Sequence, residues 1–181
     1  MHPDIVIVGL GNPGERYEQT RHNIGAMVVA ELGNGVSWNN GSAWVTIGDL
    51  RAELVQPTCF YNESGSVVSS VLKKHNLTPE QLIVIHDDID LNFGEVKKVV
   101  GRGSGGNKGV ESIISALGTN NFTRIRIGII PQNWLGNFKK PNKHKIPDFV
   151  LKPFSKKEQK ELSGIIETVI TVLMSYYSNG G

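Results

Sequence analysis

The chain has 181 residues, of which 39% are hydrophobic and 20% are charged, and its formal net charge is +2. This length favours one globular domain, and the apolar content and small net charge argue against a disordered protein. The single cysteine, Cys59, excludes an intramolecular disulfide and a zinc site built on several cysteines. The sequence starts without a signal-peptide pattern, and no stretch approaches the roughly 18 apolar residues of a membrane span. We therefore expect a cytoplasmic protein, without a membrane anchor, that folds as one domain over residues 1–181.

Short apolar runs alternate with helical patterns along the chain. Strands are predicted at residues 5–8, 52–55, 82–85 and 125–129, where apolar side chains are continuous or alternate. Helices are predicted between them at residues 24–32, 67–72 and 110–117, the last of which ends at Gly118. The alternation predicts a single α/β domain whose sheet is covered by helices.

The last predicted element is a long helix with clear boundaries. Ser155 and Glu158 form a capping-box pattern, in which the two side chains satisfy the free amide groups of a helix start. An apolar stripe from Leu162 to Leu173 follows at helical spacing, and Asn179-Gly180 is predicted to end the helix.

A glycine motif follows the first predicted strand. Residues 9–14 have the GxGxxG spacing of a dinucleotide-binding loop. Pro13 opposes the helix that such a loop requires, and no acidic residue ends a second strand about 20 residues later. The motif instead favours a tight, rigid loop that presents Asn12 at the carboxyl end of the strand, where α/β proteins usually build their sites.

Three junctions between strands and helices carry polar side chains. His22 lies just before the helix at 24–32, where the helix dipole favours a neutral imidazole that can act as a base. Asp87 and Asp88 follow the apolar strand at 82–85, and could orient a histidine, bind a metal or cap a turn. Asn62 precedes the helix at 67–72 and could bind a carbonyl group or cap that helix.

These groups together match the needs of a hydrolytic site: a base, an orienting acid and amide donors for a developing oxyanion. Water then suffices as the nucleophile. Cys59 is a less favoured nucleophile, because no catalytic signature surrounds it. A metal hydrolase is the other alternative, although the spacing of its ligands matches no known metal motif. Its ligands would be His22, His86, Asp87, Asp88 and Asp90.

The order of these motifs resembles that of the bacterial peptidyl-tRNA hydrolase family, from Ile5 to about Phe154. The motifs that carry the resemblance are residues 8–14, Tyr17, 20–23, 58–65, His86-Asp87 with Asp90, and 124–128. The resemblance implies a mixed, largely parallel twisted sheet flanked by helices, which is a phosphorylase/hydrolase-like sandwich. It further implies a monomer that cleaves the ester between a peptide and the 3′ ribose of tRNA without a metal or cofactor.

The resemblance also implies roles for individual residues. His22 corresponds to the catalytic base and Asp87 to the acid that orients it. Asn12 corresponds to the residue that distinguishes a blocked aminoacyl group from a free one. The positions that correspond to contacts with the peptidyl-tRNA are Tyr17, Phe60 and Asn62.

The chain departs from the family pattern at three positions of the expected site. Asn107 and Lys108 replace the usual His-Asn pair before a helix, and Lys108 could either bind a phosphate in place of the lost amide or be solvated. Tyr61 replaces the usual Met, and we expect this change to alter the apolar wall of the site only slightly.

Basic residues near the glycine-rich segment could contact the tRNA backbone. Arg124 and Arg126 share one face of a predicted strand, and Arg102 lies in the segment itself. Such contacts would read phosphates and the shape of the acceptor end, not the base sequence. An RNA-binding module of the same fold, without hydrolytic activity, remains the alternative to an enzyme.

Overall fold

The computed structural model describes residues 2–131 and 140–178, with side chains through residue 175. Within these two ranges, six strands form one sheet: β1 (Ile5–Gly9), β2 (Ser42–Ile47), β3 (Leu50–Val55), β4 (Leu82–Asn92), β5 (Val96–Val100) and β6 (Thr123–Ile130). The same part of the chain contains five α-helices: α1 (Ile24–Leu32), α2 (Ser64–Lys74), α3 (Lys108–Leu117), α4 (Ile146–Val150) and α5 (Lys156–Ser178). Among the described residues, no helix is both long and apolar enough to cross a bilayer.

The sheet has the strand order β2-β3-β1-β4-β6-β5. The four central strands, β3, β1, β4 and β6, run parallel to one another. The two outer strands, β2 and β5, pair antiparallel with their neighbours. The predicted α/β fold with a mixed, largely parallel sheet is therefore confirmed.

Alternate side chains of the central strands enter two separate apolar cores. Ile5 and Ile7 of β1 pack on the face covered by α1 and α5, whereas Val6 and Val8 pack on the face covered by α2 and α3. Because both faces are covered, the central strands are apolar throughout, as is typical of parallel strands.

The connections place a crevice at the carboxyl ends of β1 and β4. The chain leaves β1 through α1 on one face of the sheet, and it enters β4 through α2 on the other face. Ligand sites of open α/β sheets lie at such a reversal point. Helix α1 is also seated tightly there, since a Cβ on Gly25 would overlap the carbonyl oxygen of Ile85.

The predicted helix boundaries are confirmed at two ends. Gly118 ends α3 with a φ of 69°, in the left-handed region that favours glycine. At the start of α5, the Ser155 amide donates to Glu158 Oε2 at 2.6 Å and the Glu158 amide donates to Ser155 Oγ at 3.3 Å. The predicted end of α5 at Asn179-Gly180 lies outside the described residues.

One strand is longer than predicted. β4 continues past the apolar run at 82–85 to Asn92, because its pairing with β6 continues through Asp88 and resumes at Asn92. Asp87 therefore lies within a strand and not in a turn after it. This position fixes the direction of its side chain more firmly than a turn would.

Candidate active site

A cleft of about 820 Å³ opens at the carboxyl ends of β1 and β4. Part of its lining, the polar wall, is made of polar side chains, and another part, the apolar wall, comes from α4 and the residue that follows it. The polar wall includes Asn12, His22, Asn62, Asp87, Asn107 and Lys108, and the apolar wall includes Ile146, Pro147, Val150 and Leu151.

His22 and Asp87 form a hydrogen-bonded pair at this cleft. His22 lies in a short 3-10 turn, Arg21–Asn23, directly before α1. Its Nδ1 lies 2.9 Å from Oδ1 of Asp87, whose side chain is almost fully buried, whereas 16% of the His22 side chain is exposed. A donating Nδ1 leaves Nε2 as the unprotonated ring nitrogen of a neutral imidazole. The pair therefore has the arrangement of a general base held by an orienting carboxylate.

Asn12 is fixed from two sides. Its backbone N–H donates to Asn23 Oδ1 and its carbonyl accepts from Asn23 Nδ2, both at 2.9 Å. Its own Oδ1 accepts from the Tyr61 backbone N–H at 2.9 Å. No described residue accepts from Asn12 Nδ2, so this amide is available to donate to a ligand carbonyl in the cleft. Asn23 is thus used to hold Asn12, and its side chain does not cap α1.

The environment of Asp87 keeps it ionised. Burial alone would raise the pKa of this carboxyl, but the charge and hydrogen bond of His22 and the hydrogen bond from Tyr61 outweigh burial and lower the pKa. A carboxylate at this position can stabilise the imidazolium that forms when His22 takes up a proton.

Tyr61 has a larger role in the site than the sequence predicts. Its hydroxyl donates to Asp87 Oδ1 at 2.6 Å, and its ring stacks on the His22 imidazole with centroids 3.4 Å apart and planes 13° apart. The expectation that this residue alters the apolar wall only slightly is wrong, because its hydroxyl joins the polar pair directly. Its neighbours Phe60 and Asn62, both expected to contact the substrate, lie in the same segment.

Asn107 connects this cluster to α3. Its Oδ1 accepts from the Val110 N–H at 3.1 Å and so caps the helix, while its Nδ2 donates to the Tyr61 hydroxyl oxygen at 2.9 Å. Lys108 begins the helix with an exposed side chain that lies along the cleft. Its Nζ forms an ion pair of 2.8 Å with Glu111, so the ammonium is accessible but already partnered.

The other predicted substrate contacts differ in their position. Phe60 is 50% exposed beside the buried Tyr61, and Asn62 is exposed and lines the cleft. Tyr17 lies in the short turn Glu15–Tyr17, outside the lining of the cleft, with the Arg16 guanidinium 4.5 Å above its ring.

The three arginines near the glycine-rich segment also differ. Arg124 is buried, and its guanidinium donates to the carbonyl oxygens of Arg102 and Gly103 at 2.8 and 3.0 Å. This position argues against a direct phosphate contact for Arg124. Arg126 is partly exposed and forms an ion pair of 2.6 Å with Asp88, whereas the Arg102 side chain is exposed.

The alternative chemistries receive little structural support. Within residues 2–131 and 140–178, no three histidine, cysteine or acidic side chains come together in a way that could hold a metal ion. Burial raises the pKa of the Cys59 thiol, which reduces the reactive thiolate.

Comparison with known proteins agrees with the fold and the motifs. The sequence pattern of the family described as peptidyl-tRNA hydrolase matches residues 6–180. The peptidyl-tRNA hydrolase of Aquifex aeolicus is 41% identical over 176 residues, which are 93% of this chain and 88% of that protein. That of Mycobacterium ulcerans is 41% identical over 175 residues, covering 92% of this chain and 87% of that protein.

A solved structure extends the likeness to three dimensions. The crystal structure of peptidyl-tRNA hydrolase from Acinetobacter baumannii matches with a TM-score of 0.82 and 30% identity, and covers 97% of this chain and 91% of that one. The chain belongs to the peptidyl-tRNA hydrolase family.

Proposed function

We propose that this chain hydrolyses the ester that joins a peptide, or another N-blocked aminoacyl group, to the 3′ ribose of tRNA. The observation that carries the proposal is the hydrogen bond of 2.9 Å between His22 and Asp87, at a cleft that also contains the Asn12 amide. Membership of the family supports the choice of substrate, and the cleft supports the choice of chemistry.

The reaction follows from the free atoms of these residues. His22 Nε2 removes a proton from a water molecule as that water attacks the ester carbonyl, and Asp87 stabilises the imidazolium formed. The Asn12 Nδ2 donates to the carbonyl oxygen as it gains negative charge. The imidazolium then returns its proton to the ribose oxygen as the ester bond breaks. The products are a free peptide acid and a tRNA with an intact 3′ end.

The surface around the cleft supports binding of the two parts of this substrate. The apolar wall from α4 offers contact area for the peptide. The exposed Phe60 ring is suited to stacking on a base of the unpaired acceptor end, and Lys108 and Arg102 to contacts with its phosphates. We also assign Tyr17 and Arg126, which do not line the cleft, to the same proposed surface. Arg124 supports this surface by holding the backbone at residues 102–103.

One chain supplies every residue of the proposed reaction, so we further propose that residues 1–181 act as a monomer. Because peptidyl-tRNA is a product of translation, we also propose that the chain acts in the cytoplasm. The proposed steps use only water and the side chains of His22, Asp87 and Asn12, so the proposed reaction requires neither a metal nor an organic cofactor.

The test is release of the N-acetyl-aminoacyl group from tRNA by the purified protein, with and without EDTA. We expect hydrolysis that survives EDTA and is lost in His22→Ala. The control is His144→Ala, since His144 is exposed in a short turn and is absent from the cleft lining. Turnover by His22→Ala at the wild-type rate would refute the assignment of the base. Tight, salt-sensitive tRNA binding without cleavage would favour the RNA-binding alternative.

A further inference from the structure

Tyr61 has a fixed direction of hydrogen bonding within the site. Its hydroxyl oxygen accepts from Asn107 Nδ2, an amide that can only donate, at 2.9 Å. The hydroxyl proton is therefore directed to Asp87 Oδ1, 2.6 Å away. Burial, followed by the charge of Asp87, raises the pKa of Tyr61 well above its usual value, so the proton stays on the hydroxyl.

One carboxylate oxygen therefore serves two close donors. Oδ1 of Asp87 accepts from His22 Nδ1 at 2.9 Å and from the Tyr61 hydroxyl at 2.6 Å, whereas Asn107 Nδ2 is a more distant donor at 3.4 Å. A second strong donor draws electron density from that oxygen and weakens its interaction with the imidazolium. The Tyr61 hydroxyl thus stabilises the Asp87 carboxylate but weakens the interaction between Asp87 and His22.

We propose that Tyr61 is a positioning residue that shares Oδ1 of Asp87 with His22 and thereby sets the pH range in which His22 acts as a base. The inference rests on the proposed function. It assigns to this chain a three-membered cluster of His22, Asp87 and Tyr61, with Asn107 as the group that orients the tyrosine.

The Tyr61 ring is held by packing that does not involve its hydroxyl, so the two can be tested separately. A Cβ on Gly109 would overlap the Tyr61 ring, so the ring occupies a slot that only glycine leaves open in α3. The same ring stacks on the His22 imidazole and fixes its plane. Tyr61→Phe retains the ring in this slot and removes only the hydroxyl.

Other charged groups near the cluster also affect its titration, and the variants below leave all of them unchanged. They are His86 and Asp88 on β4, Arg124 and Arg126 on β6, Lys108 on α3, and Lys140 and Lys143 across the cleft.

The experiment measures the pH dependence of kcat and kcat/KM for ester release by wild type and Tyr61→Phe. In the variant, we expect the acidic side of the pH–rate profile to move to higher pH by roughly half a pH unit or more, because the carboxylate that pairs with the imidazolium then lacks its shortest competing donor. The plateau at high pH should be equal to that of the wild type or higher. If Tyr61 served only in packing, Tyr61→Phe would lower the rate by the same factor at every pH and would not shift the pH–rate profile.

The matched control is Ser64→Ala. This substitution also deletes a buried hydroxyl in the same segment, where Ser64 Oγ donates to the Tyr61 carbonyl oxygen at 2.9 Å, but it does not touch Asp87. We expect Ser64→Ala to have lower thermal stability but the same pH–rate profile as the wild type. Superimposable profiles for wild type and Tyr61→Phe, or an equal shift in Ser64→Ala, would overturn the inference.

A second measurement keeps the two proposals apart. The pH titration of the His22 imidazole by NMR, without substrate, should show the same upward displacement of the midpoint in Tyr61→Phe. If the wild type does not hydrolyse the ester, the proposed function fails, while this titration still decides whether Tyr61 controls His22. If the wild type is active and the midpoint is unmoved, only the inference about Tyr61 fails.

Discussion

The ion pair between Arg21 and Glu158 connects the active-site turn to α5, and breaking it should destabilise the protein strongly. Arg21 Nη2 donates to both carboxylate oxygens of Glu158 at 3.0 and 2.7 Å, and less than a tenth of either side chain is exposed. Glu158 also accepts from the Ser155 amide at the start of α5. Glu158→Gln preserves the shape of the side chain but leaves the guanidinium charge buried without a counter-charge.

The partners that Arg21 keeps in Glu158→Gln indicate how much the free energy of unfolding should fall. Removing one member of a buried pair typically costs about 3 to 5 kcal/mol. Arg21 keeps the Pro153 carbonyl at 2.9 Å and the Phe149 ring at 4.6 Å, so we expect the lower end, about 3 kcal/mol. At about 2 to 4 °C per kcal/mol for a domain of this size, the melting temperature should fall by roughly 6 to 12 °C.

Urea and thermal unfolding of Glu158→Gln measure this loss, with Glu111→Gln as the control. Glu111 forms an ion pair of similar length, 2.8 Å, with Lys108, but 72% of the lysine and 52% of the glutamate side chain are exposed. Exposed pairs contribute little, so the control should stay close to the wild type. The double variant Arg21→Met with Glu158→Gln should cost less than the sum of its parts. A loss in Glu158→Gln no larger than that of the control would refute the reasoning.

Three further results are expected. Asp87→Asn should slow ester cleavage by about 10²-fold or more, since the amide no longer orients His22 or stabilises its protonated form. The tRNA affinity should change little. Near-normal single-turnover kinetics would remove Asp87 from the mechanism. Because the pKa of Asp87 is lowered in the folded protein, its ionisation stabilises the fold above the unfolded value of about 3.9 and this stabilisation is lost as the pH falls through the folded value. The unfolding free energy of wild type should therefore fall towards that of Asp87→Asn as the pH is lowered from about 5 through the unfolded value and below it, and parallel pH curves would contradict this. Lys108→Ala should reduce the salt slope of tRNA binding by about one, and an unchanged slope would show a solvated lysine.

The position of the site was predictable because it follows from the fold. Asn12 follows β1 and His22 precedes α1, while Asp87 lies within β4, two residues beyond the pairing of Ile85 with the end of β1, so all three meet at one edge of the parallel strands. The extent of β4 had a signal as well. Ile89 and Leu91 alternate with exposed or half-buried polar residues, which is the pattern of a strand that continues past Asp87.

The contacts of Tyr61 and Arg124 were not predictable in the same way. The role of Tyr61 depends on the direction in which one short turn points a side chain, and a tyrosine between Phe60 and Asn62 gives no sign of that direction. Arg124 and Arg126 do share a strand face, as predicted from their spacing. The sequence does not show that the backbone at residues 102–103 covers one of them and leaves the other partly exposed.

The same contacts that position the site also leave its reactive atoms free. Asn12 has its backbone held by Asn23 and its Oδ1 held by Tyr61, so its Nδ2 is available to a ligand. His22 has Nδ1 held by Asp87 and its plane fixed by the Tyr61 ring, so Nε2 is the atom left to react. Because the base and the amide donor are both fixed through Tyr61, one by its ring and the other by its backbone, their separation does not depend on a flexible side chain. The bound ester therefore meets donors that are already oriented, which is the condition under which hydrogen bonds to a developing charge lower a barrier most.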